Sequence, residues 1–193
     1  MDNKRKLLIL TDSPLLHTGL GRICKEISVR LFEKYEVAIA GWHFTPKRHN
    51  FPVYIYPIIK DTSLESENQL KDAISDFEPE VVLCIGDIWD FFVASKVFAQ
   101  CKEINENFKA ISWITVDGEW TADGWGDILK YFDISFPMSK FGVKEINTLT
   151  PRCLDRQIYP GVDISVFNRL NMTLKTDSIP LDIANTFTIL NIG

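Results

Sequence analysis

Leu7-Leu8-Ile9-Leu10-Thr11-Asp12-Ser13-Pro14-Leu15-Leu16-His17-Thr18-Gly19-Leu20-Gly21-Arg22 begins as an unbroken apolar run, passes through a polar turn and closes on two glycines one residue apart. Leu7 to Thr11 reads as a strand covered on both faces, because no polar residue alternates with the apolar ones. From Gly21 onward, apolar residues fall at Ile23, Ile27, Leu31 and Phe32, the spacing of one helical face. Strand, turn and helix in this order open a βαβ unit.

The same alternation continues along the chain. Val37 to Trp42 and Val53 to Ile59 read as strands, separated by a polar loop holding Pro46 and Pro52. Ser66 to Phe77 has helical spacing and is stopped by Glu78-Pro79, since the residue before a proline is pushed out of the helical region. Val81-Val82-Leu83-Cys84-Ile85 is the most apolar strand. A helix from about Trp89 to Asn105 follows it, then a strand from Ala110 to Val116. A short helix within Asp127 to Phe132, the strand Ile134-Ser135-Phe136, a helix over Lys140 to Leu149 and a last strand at Gln157-Ile158-Tyr159 complete the series. Continuous apolar strands alternating with helices predict a doubly wound, parallel, Rossmann-like α/β sheet. The chain has no internal repeat and no low-complexity segment.

Composition agrees with a folded domain. The 193 residues are 46% hydrophobic and 24% charged, which excludes a disordered chain or a disulfide scaffold. At this size about 70% of the unfolded surface can be buried. With 21 basic against 26 acidic residues the net charge is -5, which argues against a nucleic-acid module that must neutralise phosphates. No apolar run approaches the roughly 18 residues of a membrane span. Lys4, Arg5 and Lys6 precede an apolar run of only four residues, Leu7 to Leu10, so a first strand is a better reading than a signal peptide. Cys24, Cys84, Cys101 and Cys153 form no C-x-x-C pair, so metal and redox spacing are missing and a reducing cytoplasm is the expected compartment. No cofactor or metal ion is called for.

In open α/β sheets, ligands bind beyond the carboxyl ends of the strands, which selects four loops. In Asp12 to Arg22, Gly19 and Gly21 allow a tight turn and close approach to a ligand, and the helix behind them favours an anion. The pattern is neither G-x-G-x-x-G, since Cys24 holds the third glycine position, nor a P-loop, and a plain loop-to-helix turn fits it equally. His17 is a possible donor or a surface residue. In Gly86-Asp87-Ile88-Trp89-Asp90, Asp87 suits a sugar hydroxyl or a helix cap, and Trp89 suits stacking on a sugar or sealing the core. The loop Thr115 to Trp125 is the densest, with Asp117, Glu119, Trp120 and Trp125. Its carboxylates could polarise hydroxyls and its indoles offer flat faces to a pyranose ring. A carboxylate-based hydrolase would need Asp117 and Glu119 to converge at about 5 to 9 Å. Tyr159-Pro160-Gly161-Val162-Asp163, followed by Phe167, reads as a structural turn in which Gly161 suits a positive φ and Asp163 bonds locally.

Taken together, T-G-L-G-R (Thr18 to Arg22), G-D-I-W (Gly86 to Trp89), V-D-G-E-W (Val116 to Trp120), S-K-F-G (Ser139 to Gly142) and Y-P-G-V-D-I-S-V-F (Tyr159 to Phe167) resemble, in order, the N-terminal domain of a GT-B-fold glycosyltransferase of the group 1 type, family 4. Thr186-Phe187-Thr188-Ile189-Leu190-Asn191-Ile192-Gly193 looks like the first strand of that family's C-terminal domain. The resemblance implies an acceptor-side domain over residues 1–167, an interdomain linker over 168–185 and the start of a donor-binding domain over 186–193.

By that resemblance, a complete enzyme would move a sugar from a nucleotide-sugar donor to an acceptor hydroxyl with retention. The acceptor could be a sugar, a lipid-linked compound or another hydroxyl. The donor's basic residues and the E-x7-E carboxylates belong to the C-terminal domain, so these residues alone are expected to be inactive. Asp117 falls where many members carry a histidine near the transferred sugar. Asp117 and Glu119 are the candidate catalytic residues. His17, Thr18, Gly19, Gly21, Arg22, Asp87, Trp89 and Trp120 are the candidate substrate-binding residues, with Gly19 and Gly21 against donor phosphates or acceptor. The polar stretch Lys47 to Pro52 is a candidate lining of the acceptor pocket. The alternative is a non-catalytic α/β binding or interaction module.

Overall fold

A computed structural model describes residues 4–119, 124–150, 153 and 156–165. The chain divides into a compact unit, Met1–Pro160, and a second unit, Gly161–Gly193. The expected linker at 168–185 and strand at 186–193 lie outside the described residues, as do Phe167 and Trp120.

Six strands form one sheet: β1 (Lys6–Asp12), β2 (Glu36–Trp42), β3 (Tyr54–Ile58), β4 (Val81–Gly86), β5 (Lys109–Ile114) and β6 (Ile134–Pro137). Every pairing is parallel and the order is β3-β2-β1-β4-β5-β6. This is the Rossmann order, whose sense reverses between β1 and β4. Among the described residues, five helices connect or follow the strands: α1 (Gly19–Leu31), α2 (Leu64–Phe77), α3 (Phe92–Ile104), α4 (Trp125–Leu129) and α5 (Lys140–Leu149). A single 3-10 turn, Ile88–Phe91, leads into α3. The doubly wound α/β architecture read from the sequence is therefore the observed one.

Strand residues alternate between two cores, as the period of two demands. Leu8, Leu10, Ala38, Ala40, Val82 and Cys84 meet Leu70 of α2, Val97 and Phe98 of α3, and Leu129 of α4. Phe98 lies 5.4 Å from Phe108 and 5.5 Å from Phe132 between ring centroids, making this layer aromatic as well as aliphatic. Leu7, Ile9, Val37, Ile39, Ile85 and Trp113 face the other way, onto Cys24 and the partly buried Leu20, Ile23 and Ile27 of α1. The β2–β3 connection has no helix, and Phe44, Phe51 and Val53 extend the cover of this second face. Within Lys47 to Pro52, Phe51 thus packs onto the core. Burial pushes the Cys24 and Cys84 thiols well above their ordinary range, so both behave as small apolar groups.

Caps set the helix starts. Thr18, Ser63 and Ser139 each accept the N–H three residues on, at 3.0, 3.2 and 3.0 Å, ahead of α1, α2 and α5. Glu78 ends α2 in the left-handed region (φ 52), directly before Pro79.

Two expectations need correction. Gln157-Ile158-Tyr159 is not a strand. Among the described residues, the sheet is extended beside β6 by an isolated parallel bridge from Ser135 to Cys153. Ile158 instead donates its N–H to the Pro137 carbonyl (3.0 Å) and accepts the Trp113 indole N–H (2.8 Å). Ile158 and Tyr159 are both exposed, so neither face of this segment has a core to join. Gly161 does not take a positive φ; among the described glycines that conformation belongs to Gly124 (φ 96). Asp163 does bond locally, its Oδ1 accepting the Ser165 N–H (2.9 Å) and hydroxyl (2.6 Å).

Candidate functional site

The carboxyl ends of β1, β4 and β5 meet where the strand order reverses, and the polar residues of the sheet gather there. Asp12 ends β1 and is almost completely buried. Its Oδ2 accepts the Thr18 hydroxyl at 2.8 Å, while Thr18 in turn accepts the Gly21 N–H. A Cβ on Gly21 would stand 2.8 Å from the Ser13 carbonyl oxygen and 2.9 Å from that of Leu16, so only glycine lets α1 seat on this turn. Gly19 has open space around it and an ordinary φ. The T-G-L-G-R motif is thus a seat for the helix, with His17, Thr18, Gly19 and Arg22 on its exposed side.

The second loop is built around two aspartates. Asp90 has a side chain only 2% exposed, and its Oδ2 accepts the Asp87 N–H at 3.2 Å. Gly86 makes room for it, since a Cβ there would come 2.8 Å from Asp90 Oδ2. Asp87 lies half-buried above, its Oδ1 accepting the Thr115 hydroxyl across from β5. Burial raises the Asp87 carboxyl above the usual carboxylate range. The Thr115 hydrogen bond opposes the rise, Asp90 and Asp117 add to it, and Lys60 opposes it. Trp89 is 47% exposed beside this carboxylate and meets Trp125 edge to face, 6.4 Å between centroids.

Asp117 and Glu119, on the third loop, are exposed, and among the described residues neither makes a hydrogen bond or ion pair. Asp117 lies close enough to Asp87 to act on its charge. No protein-family model matches the chain, and no curated protein matches it in sequence. The chemistry of this rim therefore rests on its geometry. S-K-F-G is structural here: Ser139 caps α5, and a Cβ on Gly142 would stand 2.8 Å from Pro137 Cβ and 3.1 Å from Val116 Cγ2.

Lys60 carries no motif in the sequence, yet it reaches the centre of the rim from the end of β3. Its Nζ lies 3.1 Å from Asp90 Oδ1, 3.8 Å from Asp12 Oδ1 and 4.8 Å from the centroid of the Trp42 ring. Asp12, Trp42, Lys60, Asp90 and Thr115 thus belong to the candidate site by their contacts, although the sequence does not single them out. Lys60 also lines a hollow of about 450 Å³, together with His43, Phe44, Pro57, Ile59 and Gln69. His43 holds a left-handed φ of 57 at its edge. Among the described residues no group of three or more His, Cys, Asp and Glu side chains is placed to hold a metal ion, and no helix is long and apolar enough to cross a membrane.

The rim offers a half-buried carboxylate, a neighbouring hydroxyl, an exposed indole face and one ammonium. Such a set can accept hydrogen bonds from a polyhydroxyl ligand and cover one apolar face of it. Its acidic balance disfavours a phosphate resting directly on Asp87.

Proposed function

We propose that this chain is the N-terminal, acceptor-side domain of a retaining glycosyltransferase of the GT-B type, acting in the cytoplasm. The observation that carries the reading is that the half-buried Asp87, bonded to Thr115, and the exposed Trp89 both stand at the switch point of a Rossmann-ordered sheet. An ionised carboxylate accepts hydroxyl hydrogens strongly, and an indole covers the C–H face of a sugar ring. Donor binding and most of the stabilisation of transition-state charge fall, in this reading, to a second domain of the GT-B pair. In this reading the partners are a nucleotide-sugar donor and a sugar, lipid-linked or other hydroxyl acceptor, and the net charge of -5 argues against nucleic acid. Asp117 and Glu119 would meet the acceptor from the loop above Asp87. The buried thiols Cys24 and Cys84 suit a reducing compartment.

Calorimetry with a panel of mono- and disaccharides and with nucleotide sugars tests the reading. Saccharides should bind weakly and saturably, and nucleotide sugars should bind no better than the saccharides they carry. Tight nucleotide-sugar binding by this chain alone would overturn it. The second reading, a binding module without chemistry, draws on the packing duties of Thr18, Gly21, Ser139 and Gly142. Turnover when a donor-binding domain of the same protein is supplied would exclude that alternative.

A further inference from the structure

Lys60 sits among the carboxylates of the rim, and its contacts reach the ends of β1 and β2 and the 3-10 turn after β4. Lys60 leaves β3, rests on the Trp42 ring at the end of β2, and places Nζ 3.1 Å from Asp90 and 3.8 Å from Asp12. Its own side chain is 28% exposed and that of Asp90 is 2% exposed, so the Lys60–Asp90 contact is largely withdrawn from water. Asp12 Oδ1 is buried without a hydrogen-bond partner among the described residues, which leaves Lys60 as the cation nearest to it. Such an arrangement differs from an exposed surface pair, which contributes little. Removing one member of a buried pair leaves a charge without compensation.

We propose that Lys60 is the positioning residue of this rim: held by Asp12, Asp90 and Trp42, it fixes the Asp90 carboxylate that receives the Asp87 N–H and so holds Asp87 as a hydrogen-bond acceptor facing Thr115.

The connection runs through identifiable atoms. Asp90 Oδ1 faces the ammonium, and its Oδ2 takes the Asp87 N–H at 3.2 Å. The Asp87 carboxylate then takes the Thr115 hydroxyl. A second effect acts through space. The groups bearing on Asp87 are Thr115 and Asp117 from the β5 side, Asp90 from the 3-10 turn and Lys60 from the end of β3. Among these Lys60 alone is a cation. Burial, Asp90 and Asp117 all drive Asp87 toward its neutral form, and Lys60 opposes them. A neutral carboxyl accepts hydroxyl hydrogens less strongly than a carboxylate does. The inference deepens the acceptor reading and rests on it for the ligand, but its test on Asp87 needs no ligand.

The test is the titration of the Asp87 side-chain carboxyl by carbon-13 NMR, the signal being assigned by its loss in Asp87→Asn. In Lys60→Met the Asp87 pKa should rise further, because the cation that opposes burial is gone. Lys60→Arg should return it most of the way to the parent value. A buried Asp90 without its cation endangers folding, so the same comparison is made between Asp90→Asn and Asp90→Asn/Lys60→Met, where no buried carboxylate is left unpaired at that position. The Asp87 pKa should again be higher in the variant lacking Lys60. An unchanged Asp87 titration in both comparisons, or a Lys60→Arg protein displaced as far as Lys60→Met, would overturn the proposal. Saccharide titrations of the same folded proteins at pH 6 and pH 8 separate the two claims. A loss of binding in Lys60→Met that recovers at pH 8 supports the positioning role. If no saccharide binds the parent protein while the Asp87 titration shifts as stated, the acceptor reading fails and the role of Lys60 stands.

Discussion

The loops that follow β1 and β4 lie side by side on the same rim, and both hold an aspartate ahead of a helical turn. They use their polar groups differently. After β1, Asp12 takes the Thr18 hydroxyl, Thr18 takes the Gly21 N–H, and Gly21 admits the carbonyls of Ser13 and Leu16, so the conspicuous residues hold α1 on the sheet. After β4, Asp87 is half-buried against its own charge, Asp117 adds repulsion, and Trp89 leaves nearly half its surface in water. The second arrangement also has a structural part, since Asp87 is the N-cap of the 3-10 turn in a capping box with Asp90, but its carboxyl is held at a cost that a cap alone does not require. Groups held at an energetic cost are a mark of binding and catalytic sites, whereas groups that stabilise need no further cause.

The contrast is open to direct attack by mutation. The largest effect is expected at Gly21→Ala, where the new methyl meets two backbone oxygens below 3.0 Å. Chemical denaturation should show a loss of about 1–3 kcal/mol, the range for overpacking. A change below 0.5 kcal/mol would mean that the β1 loop yields easily and that its glycine is kept for a ligand after all.

Thr18→Ala removes the cap of α1 and a donor to the buried Asp12. A loss of about 1–2 kcal/mol is expected in the same measurement. Saccharide affinity measured on the folded fraction should stay near the parent value.

Asp87→Asn should act in the opposite direction. The folded state raises this carboxyl's pKa, so its contribution to stability is fully present below the unfolded pKa and is lost as pH rises through the folded one. Thermal melts of parent and variant should therefore diverge from about pH 4 upward, with the amide variant gaining. Its carboxamide oxygen can still accept the Thr115 hydroxyl. The same change should weaken saccharide binding at least about tenfold, a difference of about 1.4 kcal/mol. Equal pH profiles for the two proteins would remove the distinction between the loops.

Trp89→Ala has the smallest expected effect on stability, within about 0.5 kcal/mol, because the indole is 47% exposed and its ring contact with Trp125 is a single edge. Binding of saccharides should nevertheless fall. A large loss of stability with unchanged binding would show Trp89 to be a core residue.

The fold was open to reading because each strand is a short apolar run and each helix carries one apolar face, both local signals. Leu7 to Thr11 and Val81 to Ile85 announce themselves without reference to any partner. The last expected strand failed for the complementary reason. Gln157-Ile158-Tyr159 holds one apolar residue between two others that find no core, and its one backbone bond to Pro137 is tertiary. Within the site, Asp87 and Trp89 stand directly after a strand and could be picked out by the switch-point rule. Lys60 could not, since nothing near it in sequence signals that Asp12 and Asp90 converge on its ammonium. Asp90 looked like one more loop acid, although its burial and its bond to Asp87 make it part of the machinery.

The most direct test of an acceptor site at this rim is a nitrogen-15 NMR titration of the chain with neutral mono- and disaccharides, following the tryptophan indoles and the backbone amides. Saturable shifts are expected at the Trp89 indole and at the amides of Asp87 and Thr115, with Trp113 and the α2–α3 surface unmoved. Shifts confined to other surfaces, or saturable shifts with nucleotide sugars and none with saccharides, would contradict an acceptor site here.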